Sequence, residues 1–259
     1  MLILLPPSEG KAAPRRGRPL DLGSLSHPVL TEARERVVDA VVSLCSGDPA
    51  EAARVLDVPK SQPELVDLNA RVRGAPTARA DAIYTGVLYD ALGLPGLSPA
   101  ARRRAAGRVR VTSSLLGLVG PGDRLPAYRL SGDAVLPGLG GVAAWWRDHL
   151  GPAVTEAVGD GLLVDLRSST YAAFWRPPAD AARRVATVRV LHESAGRRQV
   201  VSHFNKATKG RIVRALLEDG ANPRTPARLA EALGDLGWTV EVDAAGARGT
   251  RLDVVVGEL

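Results

Sequence analysis

Cysteine is nearly absent from this sequence. Cys45 is its one thiol in 259 residues, so no disulfide bond can form within the chain, which suits a reducing compartment. Long apolar runs are absent too, and none approaches the roughly 18 residues that a membrane-spanning helix needs. The apolar start, residues 1–5, has no basic flank and is interrupted by Pro6-Pro7, which argues against a signal peptide. We therefore expect a cytoplasmic protein with no membrane partner.

Metal ligands and cofactor fingerprints are also missing. The single cysteine and the scattered histidines show no ligand spacing such as HxxxH or CxxC. No Walker loop, dinucleotide fingerprint or GxSxG elbow occurs. The four histidines are His27, His149, His192 and His203. We expect no metal site and no cofactor.

Lysine is scarce although the chain is basic. The 34 basic and 28 acidic residues leave a net charge of +6 and a pI near 10.0, which favours an anionic partner such as nucleic acid, a nucleotide or an acidic membrane. The alternative is that an arginine-rich composition reflects coding bias. A lysine kept where arginine is the usual cation indicates a need for a compact amine, or for one whose pKa can move. The four lysines are Lys11, Lys60, Lys206 and Lys209.

The pattern of apolar residues predicts alternating helices and strands in one domain. Short apolar runs at 1–5 and 162–166 predict buried strands, and the first leads into a long basic loop rich in proline and glycine. A hairpin is predicted from 185–191 and 199–203, with its turn at Ala195-Gly196. Further helices are predicted at 29–44, 141–158 (broken at Gly151-Pro152), 208–218 and 225–233, and further strands at 109–113, 238–242 and 251–256. With no repeat and no linker, residues 1–259 are expected to form one α+β domain.

Two turns are compatible with helix-hairpin-helix elements, which bind the DNA backbone without sequence preference. The first is Leu94-Pro95-Gly96-Leu97, before a helix that starts at Ser98-Pro99 and carries three arginines. The second is Leu136-Pro137-Gly138-Leu139-Gly140, which has the better glycine spacing. In such turns the backbone N–H groups reach phosphate oxygens. An ordinary Pro-Gly turn before a helix is the alternative for both.

Two further segments are candidate anion sites. Lys206, Lys209 and Arg211 would crowd the start of the helix predicted at 208–218, where cations oppose the helix dipole and a bound anion would offset the cost. A solvated basic turn is the alternative. The segment from Arg167 to Tyr171 follows the second buried strand and is rich in hydroxyls, which suits a phosphate-binding turn or a simple helix N-cap at Ser168 or Ser169. Asp165, in that strand, needs a polar partner.

In their order and spacing, several segments resemble the YaaA peroxide-stress family across nearly the whole chain. The shorter ones are Tyr84-Thr85-Gly86, Tyr128-Arg129-Leu130 and Trp146. The longer ones are residues 2–11, 113–117 with Pro121, 163–171 and 201–210. The chain departs from the family at Ser168-Ser169-Thr170, where many members have an acidic pair. It also departs at Ser113-Ser114-Leu115-Leu116-Gly117, which replaces Ser-Gly-Leu-Tyr-Gly.

The resemblance implies a cytosolic protein that protects against hydrogen peroxide, partly by limiting free iron. It further implies DNA binding through a positively charged cleft, on an α+β fold with a mixed central sheet surrounded by helices and with a helix-hairpin-helix-like element. The residues carried over by motif are Ser8, Lys11, Tyr84, Thr85, Tyr128, Arg129, Ser168, Tyr171, Lys206 and Lys209. With Arg167 and Arg211, they are expected to converge in one electropositive pocket sized for phosphate.

Three functions compete on this reading. The first is a monomeric, non-catalytic binder of double-stranded or distorted DNA, or of a nucleotide-like anion. The second is an enzyme acting on a nucleotide, nucleoside or DNA base, in which Lys206 forms an imine as in glycosylase-lyases. The third is an iron-handling protein, against which the dispersed histidines argue.

Overall fold

A mixed central sheet organises the fold in the computed structural model, which describes residues 1–194 and 197–257, without the side chains of Ser202 and His203. The sheet order is β11-β12-β9-β8-β1-β3-β4, and β10 pairs with the far end of β9. Its strands are β1 (Leu2–Leu5), β3 (Val109–Ser113), β4 (Gly117–Val119), β8 (Leu163–Asp165), β9 (Val185–Ser194), β10 (Arg197–Gln199), β11 (Thr239–Val242) and β12 (Thr250–Val256). Two small ribbons lie outside it: β2 (Ala78–Arg79) with β5 (Arg124–Leu125), and β6 (Val135–Leu136) with β7 (Gly140–Gly141).

Ten α-helices occur in the described residues, and none of them is long and apolar enough to cross a bilayer. They are α1 (Thr31–Cys45), α2 (Pro49–Val55), α3 (Glu64–Ala70), α4 (Ala80–Ile83), α5 (Val87–Leu92), α6 (Pro99–Arg108), α7 (Val142–Val158), α8 (Ser169–Ala172), α9 (Ser202–Asp219) and α10 (Pro226–Asp235). Helices and sheet share one cluster of buried apolar side chains. The α+β fold with a mixed central sheet is therefore confirmed.

The five central strands run parallel, and the antiparallel pairs lie towards the ends of the sheet. Leu2–Leu5 is buried along its whole length, because both of its neighbours, β3 and β8, pair with it in parallel. From β1 the chain continues to one side, to β3, whereas from β8 it continues to the other side, to β9. The loops that follow β1 and β8 therefore diverge and leave a crevice between them at the carboxyl ends of these strands. In open parallel sheets such a crevice, outside the carboxyl ends of the strands, is where ligands bind.

The predicted helix at 208–218 is correct but starts too late. Helix α9 begins at Ser202, and the residues assigned to the end of a strand at 200–203 do not continue β10. The hairpin of β9 and β10 is present, and its turn at Ala195-Gly196 lies outside the described residues. Lys206 and Lys209 therefore lie in the second and third turns of α9, where the dipole at the helix start has largely decayed. The proposed crowding of cations at the helix start is wrong.

Helix α7 also differs from its prediction, because it continues through Pro152 without a break. Its buried face, which includes Trp146, Leu150, Ala153 and Val154, packs on the core. A proline removes one backbone hydrogen bond, and apolar packing on both sides of it keeps the helix together here.

The helix-hairpin-helix element is not confirmed at either turn. Residues 136–140 join β6 to β7, so the segment is a β-hairpin with no helix before it. The turn between α5 and α6 does join two helices, but its N–H groups are used within the protein. Gly96 N donates to Gly93 O, Leu97 N to Leu94 O, and Ser98 N to a carboxylate oxygen of Glu218. These donors are therefore not available to phosphate.

Candidate functional site

The loop that leaves β1 folds back onto the segment after α4. Lys11 and Tyr84 form an isolated β-bridge, and Ala12 N donates to Ile83 O at 2.9 Å. Ser8 Oγ accepts a hydrogen bond from Thr85 N at 3.2 Å and donates to Gly10 O. These contacts bring two segments about 75 residues apart to the carboxyl end of β1.

Lys11 lies inside this loop with its amine against aromatic rings. Its Nζ donates to Ser8 O at 2.7 Å and to Glu9 O at 3.4 Å. The same atom lies 4.1 Å from the ring centre of Tyr128 and 5.9 Å from that of Tyr84. Burial, helped by the nearby Arg129 cation and opposed by Glu9, lowers the pKa of Lys11 to about 7. Near neutral pH this amine therefore loses its proton far more readily than an exposed lysine.

The tyrosines predicted as binding residues form a buried wall behind Lys11. Tyr84 and Tyr128 are almost fully buried, with their hydroxyl oxygens 3.3 Å apart, and the Tyr128 hydroxyl is 2.8 Å from Ser113 Oγ. Ser113 Oγ also accepts from Leu116 N. Burial raises the pKa of both phenols, so they stay protonated. The part that faces Lys11 is the ring face of Tyr128, not its hydroxyl.

Arg129 is the second cation of the site, and its position is fixed through the main chain. Asn69, fully buried on α3, accepts from Arg129 N at 2.9 Å and donates to Arg129 O at 2.6 Å. The guanidinium lies 3.7 Å from the exposed carboxylate of Glu9, and its Nε is buried with no hydrogen-bond partner among the described residues. An unpaired donor of this kind is costly to bury.

Arg129 borders an open cleft of about 740 Å³. Arg54 also lines the cleft, and the tip of the β6–β7 hairpin forms one side of it. Four carboxylates line it as well: Glu9, Glu51, Asp57 and Asp133. The lining is of mixed sign, which differs from the uniformly electropositive pocket expected from the sequence.

Arg167 has a structural partner and is not free to bind a ligand. Its guanidinium donates to both carboxylate oxygens of Asp165, at 2.9 and 2.7 Å, and to the carbonyl oxygens of Tyr171 and Trp175. The polar partner required by Asp165 is therefore Arg167. Ser168, next in the chain, is exposed and makes no side-chain capping bond to α8. Tyr171 is partly buried beside Phe174, and burial raises its phenol pKa.

The three predicted site cations of α9 have different environments. Lys209 is buried, and its Nζ donates to Leu166 O, just beyond β8, at 3.0 Å. Burial, opposed by Asp165, lowers its pKa to about 8. Lys206 and Arg211 are exposed, and within the described part of the chain no hydrogen bond or ion pair joins them to the other site residues. The structure thus brings together Ser8, Lys11, Tyr84, Thr85, Tyr128 and Arg129, with Lys209 at the neighbouring strand end.

Sequence reasoning missed two side chains that build the site. Asn69 reads as one polar residue of a predicted helix, and nothing in the sequence connects it to Arg129. Ser113 lies in a segment that carries the family resemblance, and nothing else in the sequence indicates that it belongs to the site. Within residues 1–194 and 197–257, no three His, Cys, Asp or Glu side chains are grouped so as to hold a metal ion.

Comparison with known proteins agrees with this order of segments. The family described as "Peroxide stress protein YaaA" matches residues 1–243. The chain belongs to the YaaA peroxide-stress family. A UPF0246 protein of Streptomyces coelicolor is 54% identical over 261 residues, which cover 100% of both chains. A UPF0246 protein of Corynebacterium efficiens is 42% identical over 246 residues, or 94% of this chain and 96% of the relative.

More distant relatives occur in other bacteria. An uncharacterized protein of Campylobacter jejuni is 25% identical over 210 residues, which cover 81% of this chain and 82% of the relative. The names of these three relatives state no ligand and no reaction. Membership in the YaaA family supports a role in the response to peroxide stress.

Proposed function

We propose that this YaaA-family protein acts in peroxide stress by binding DNA, double-stranded or distorted, at the carboxyl end of β1. The observation that carries the proposal is a basic loop that follows Lys11 in the chain and is pinned to the rest of the fold. Arg15, Arg16 and Arg18 on that loop are exposed, and none has an ion-pair partner among the described residues. Cations that are already free of carboxylates bind phosphate without first breaking an internal pair.

The loop is held in place at two points. At one end, Ala12 N donates to Ile83 O. At the other, Thr77 N donates to Arg18 O at 3.0 Å. Gly17 packs so closely that a Cβ atom there would lie 2.3 Å from Thr77 O. A pinned loop loses less conformational entropy when it binds a phosphate backbone than a free one would.

Many other arginines of the chain are occupied inside the fold and do not contribute to such a surface. Arg104 and Arg108 donate to carbonyl oxygens at the end of α9, and Arg214 donates to those of the α5–α6 turn. Arg34 is fully buried and donates to main-chain oxygens. The positive charge that is free to bind DNA is therefore smaller than the composition suggests, and part of it lies on residues 15–18.

The test is the salt dependence of DNA binding by the wild type and by Arg15→Ala/Arg16→Ala. We expect wild-type affinity to fall steeply with salt and to depend little on base sequence. If both arginines contact phosphates, the slope of log K against log salt decreases in magnitude by about 1.8, or about 0.9 per contact. Fluorescence anisotropy with a labelled duplex, and with the same duplex carrying a bubble, measures both quantities.

Arg183→Ala is the control. Arg183 is exposed, has no ion pair among the described residues, and precedes β9, at the amino end of the parallel strands. Its salt slope should equal that of the wild type. No binding at low salt, or equal slopes for the loop variant and the control, would contradict the proposal.

A lower level of free intracellular iron, which the family resemblance implies, is the second part of the proposed role. The same variants test it in cells that lack the protein and are exposed to peroxide. If DNA binding and iron limitation are linked, complementation with Arg15→Ala/Arg16→Ala fails to restore both survival and low free iron. If the variant restores the low level of free iron but not survival, the two effects are separate.

A further inference from the structure

The four lysines divide into two pairs. Lys60 and Lys206 are exposed. Lys11 and Lys209 lie at the carboxyl ends of the adjacent strands β1 and β8, where their amines donate to main-chain carbonyl oxygens. Neither of these two amines has a carboxylate within ion-pair distance among the described residues. Two of the four lysines therefore lie at the crevice between the loops that follow β1 and β8.

Lys11 is the lysine of this pair that a ligand can reach. It is only partly buried, and the loop residues around it, Glu9 and Gly10, are exposed. Lys209 is buried under Leu166 and is better placed as a fixed cation. A ring face on one side and carbonyl oxygens on the other orient the Lys11 amine. A side chain held in this way is suited to attack a carbonyl carbon.

We propose that Lys11 forms an imine with the aldehyde of an open-chain sugar phosphate, while Arg129 binds the phosphate. The amine nitrogen bonds to the aldehyde carbon. The carbonyl oxygen then leaves as water with the two hydrogens of the amine, and a C=N bond remains. No oxidant or reductant is needed. The inference goes beyond DNA binding, and does not depend on it, because the aldehyde can belong to an abasic deoxyribose in DNA or to a free deoxyribose phosphate.

The surroundings of Lys11 support this chemistry. Arg129 lies close enough to disfavour a second positive charge on Lys11, while Glu9 partly opposes that effect and Tyr84 and Tyr128 stay neutral. With a pKa of about 7, about half of the Lys11 amines are neutral at pH 7, against roughly one in 3,000 for an ordinary lysine. The Arg129 side chain is 20% exposed, so its terminal guanidinium nitrogens offer donors for a phosphate oxygen. Four carboxylates line the cleft beyond Arg129, so the contact proposed here is with a single phosphate at Arg129 and not with a row of phosphates along the cleft.

The experiment traps the imine with cyanoborohydride and locates it by peptide mass spectrometry. Two aldehydes are compared, 2-deoxyribose 5-phosphate and a duplex with a single abasic site, to distinguish the free sugar from DNA. We expect an adduct at Lys11, whose initial rate rises with pH, is half-maximal near pH 7, and then levels off. A surface lysine would give a rate that rises on towards pH 10.

Lys11→Arg keeps the charge but removes the nucleophile, and should lower the adduct yield roughly tenfold or more. Lys60→Arg, which changes an exposed lysine, should leave the yield as in the wild type. Mapping on the wild-type chain does not depend on any variant's folding. An adduct at Lys206, labelling spread over all four lysines, or no adduct with either aldehyde would overturn the inference.

The outcome also separates this inference from the proposed function. Salt-dependent binding of an intact duplex without any adduct would refute the imine and leave DNA binding standing. If the protein forms an adduct with 2-deoxyribose 5-phosphate but binds no duplex, the imine is supported and DNA binding is refuted.

Discussion

The guanidinium of Arg167 is buried at the end of β8, where both oxygens of Asp165 and two main-chain carbonyls accept its hydrogen bonds. An arginine after a strand, followed by serines, looks the same in the sequence whether it binds phosphate or a neighbouring carboxylate. The difference lies in Asp165, two residues earlier, whose side chain points to the same side of the strand end. Arg167 contributes to the site indirectly, because its hydrogen bonds hold the segment after β8 in place.

This role predicts a loss of stability when Arg167 is replaced. Arg167→Met leaves Asp165 as a buried carboxylate without its cation, which should lower the free energy of unfolding by about 3–5 kcal/mol. Urea unfolding at pH 7 measures the effect. Arg183→Met, at an exposed arginine with no ion pair among the described residues, should change it by no more than about 0.5 kcal/mol. Equal stability of the two variants would restore Arg167 as a candidate ligand residue.

The reactivity of a lysine amine also depends on the surroundings of that one residue. Lys206 has the family motif around it, and the sequence made it the candidate nucleophile, but it is exposed on α9. Lys11 carries the same motif-based evidence and is also half-enclosed by its own loop and by Tyr128. Scarcity of lysine in the sequence pointed to both of them. Only the folding of distant segments onto each other separates them.

At the scale of elements, the turn between α5 and α6 is tied to α9. Helix α5 ends at Leu92, and its C-cap residue, Gly93, has a left-handed φ of 57°. Arg214 from α9 donates to the carbonyl oxygens of Leu92, Gly93 and Gly96. A Cβ atom at Gly93 would lie 2.8 Å from the guanidinium of Arg214. The turn thus packs α5 and α6 against α9.

The effect of alanine on stability should therefore have opposite signs at Gly93 and at Gly107. Gly93→Ala forces a left-handed conformation and displaces Arg214, so we expect a loss of about 1–2 kcal/mol in the free energy of unfolding. Gly107→Ala, inside α6 with open space around the new methyl group, should gain about 0.5–1 kcal/mol. Thermal unfolding of both variants makes the comparison, and a stabilised Gly93→Ala would show that Arg214 does not depend on this turn.

Elements were easier to predict than the site. The buried strands β1 and β8 and the start of α6 at Ser98-Pro99 follow from local signals, namely apolar runs and a helix cap. The start of α9 was missed, because its N-cap residue is Val201, whose apolar side chain gives no capping signal in the sequence. The site depends on contacts such as Asn69 with Arg129 and Ser8 with Thr85, whose partners are 60 and 77 residues apart. No local pattern encodes such pairs.

At the scale of the whole molecule, β12 lies beyond the residues that the family description matches, yet it lies inside the sheet. The match ends at residue 243, whereas β12 spans Thr250–Val256 and pairs with β9 in parallel at seven positions and with β11 on its other side. Leu252 and Val254 are fully buried in the common core. The segment after 243 is therefore part of the fold.

Removing residues 244–259 should consequently unfold or aggregate the protein. The deletion leaves β11 without its partner and exposes the edge of β9, and it removes two buried side chains at a cost of about 2–5 kcal/mol each. Size-exclusion chromatography and circular dichroism measure the outcome. Deleting only 257–259 is the control and should leave a folded chain. A folded, monomeric 1–243 protein would contradict the role given to β12.

The position of β12 has a consequence for how the molecule is made. This strand is synthesised after both of its neighbours, β9 and β11, so each of them leaves the ribosome with an open edge. At roughly 5–20 residues per second, β9 waits for several seconds before the strand that covers it exists. Nascent chains therefore need protection during that interval, and a stalled ribosome near residue 245 would release a product that is prone to edge-to-edge association.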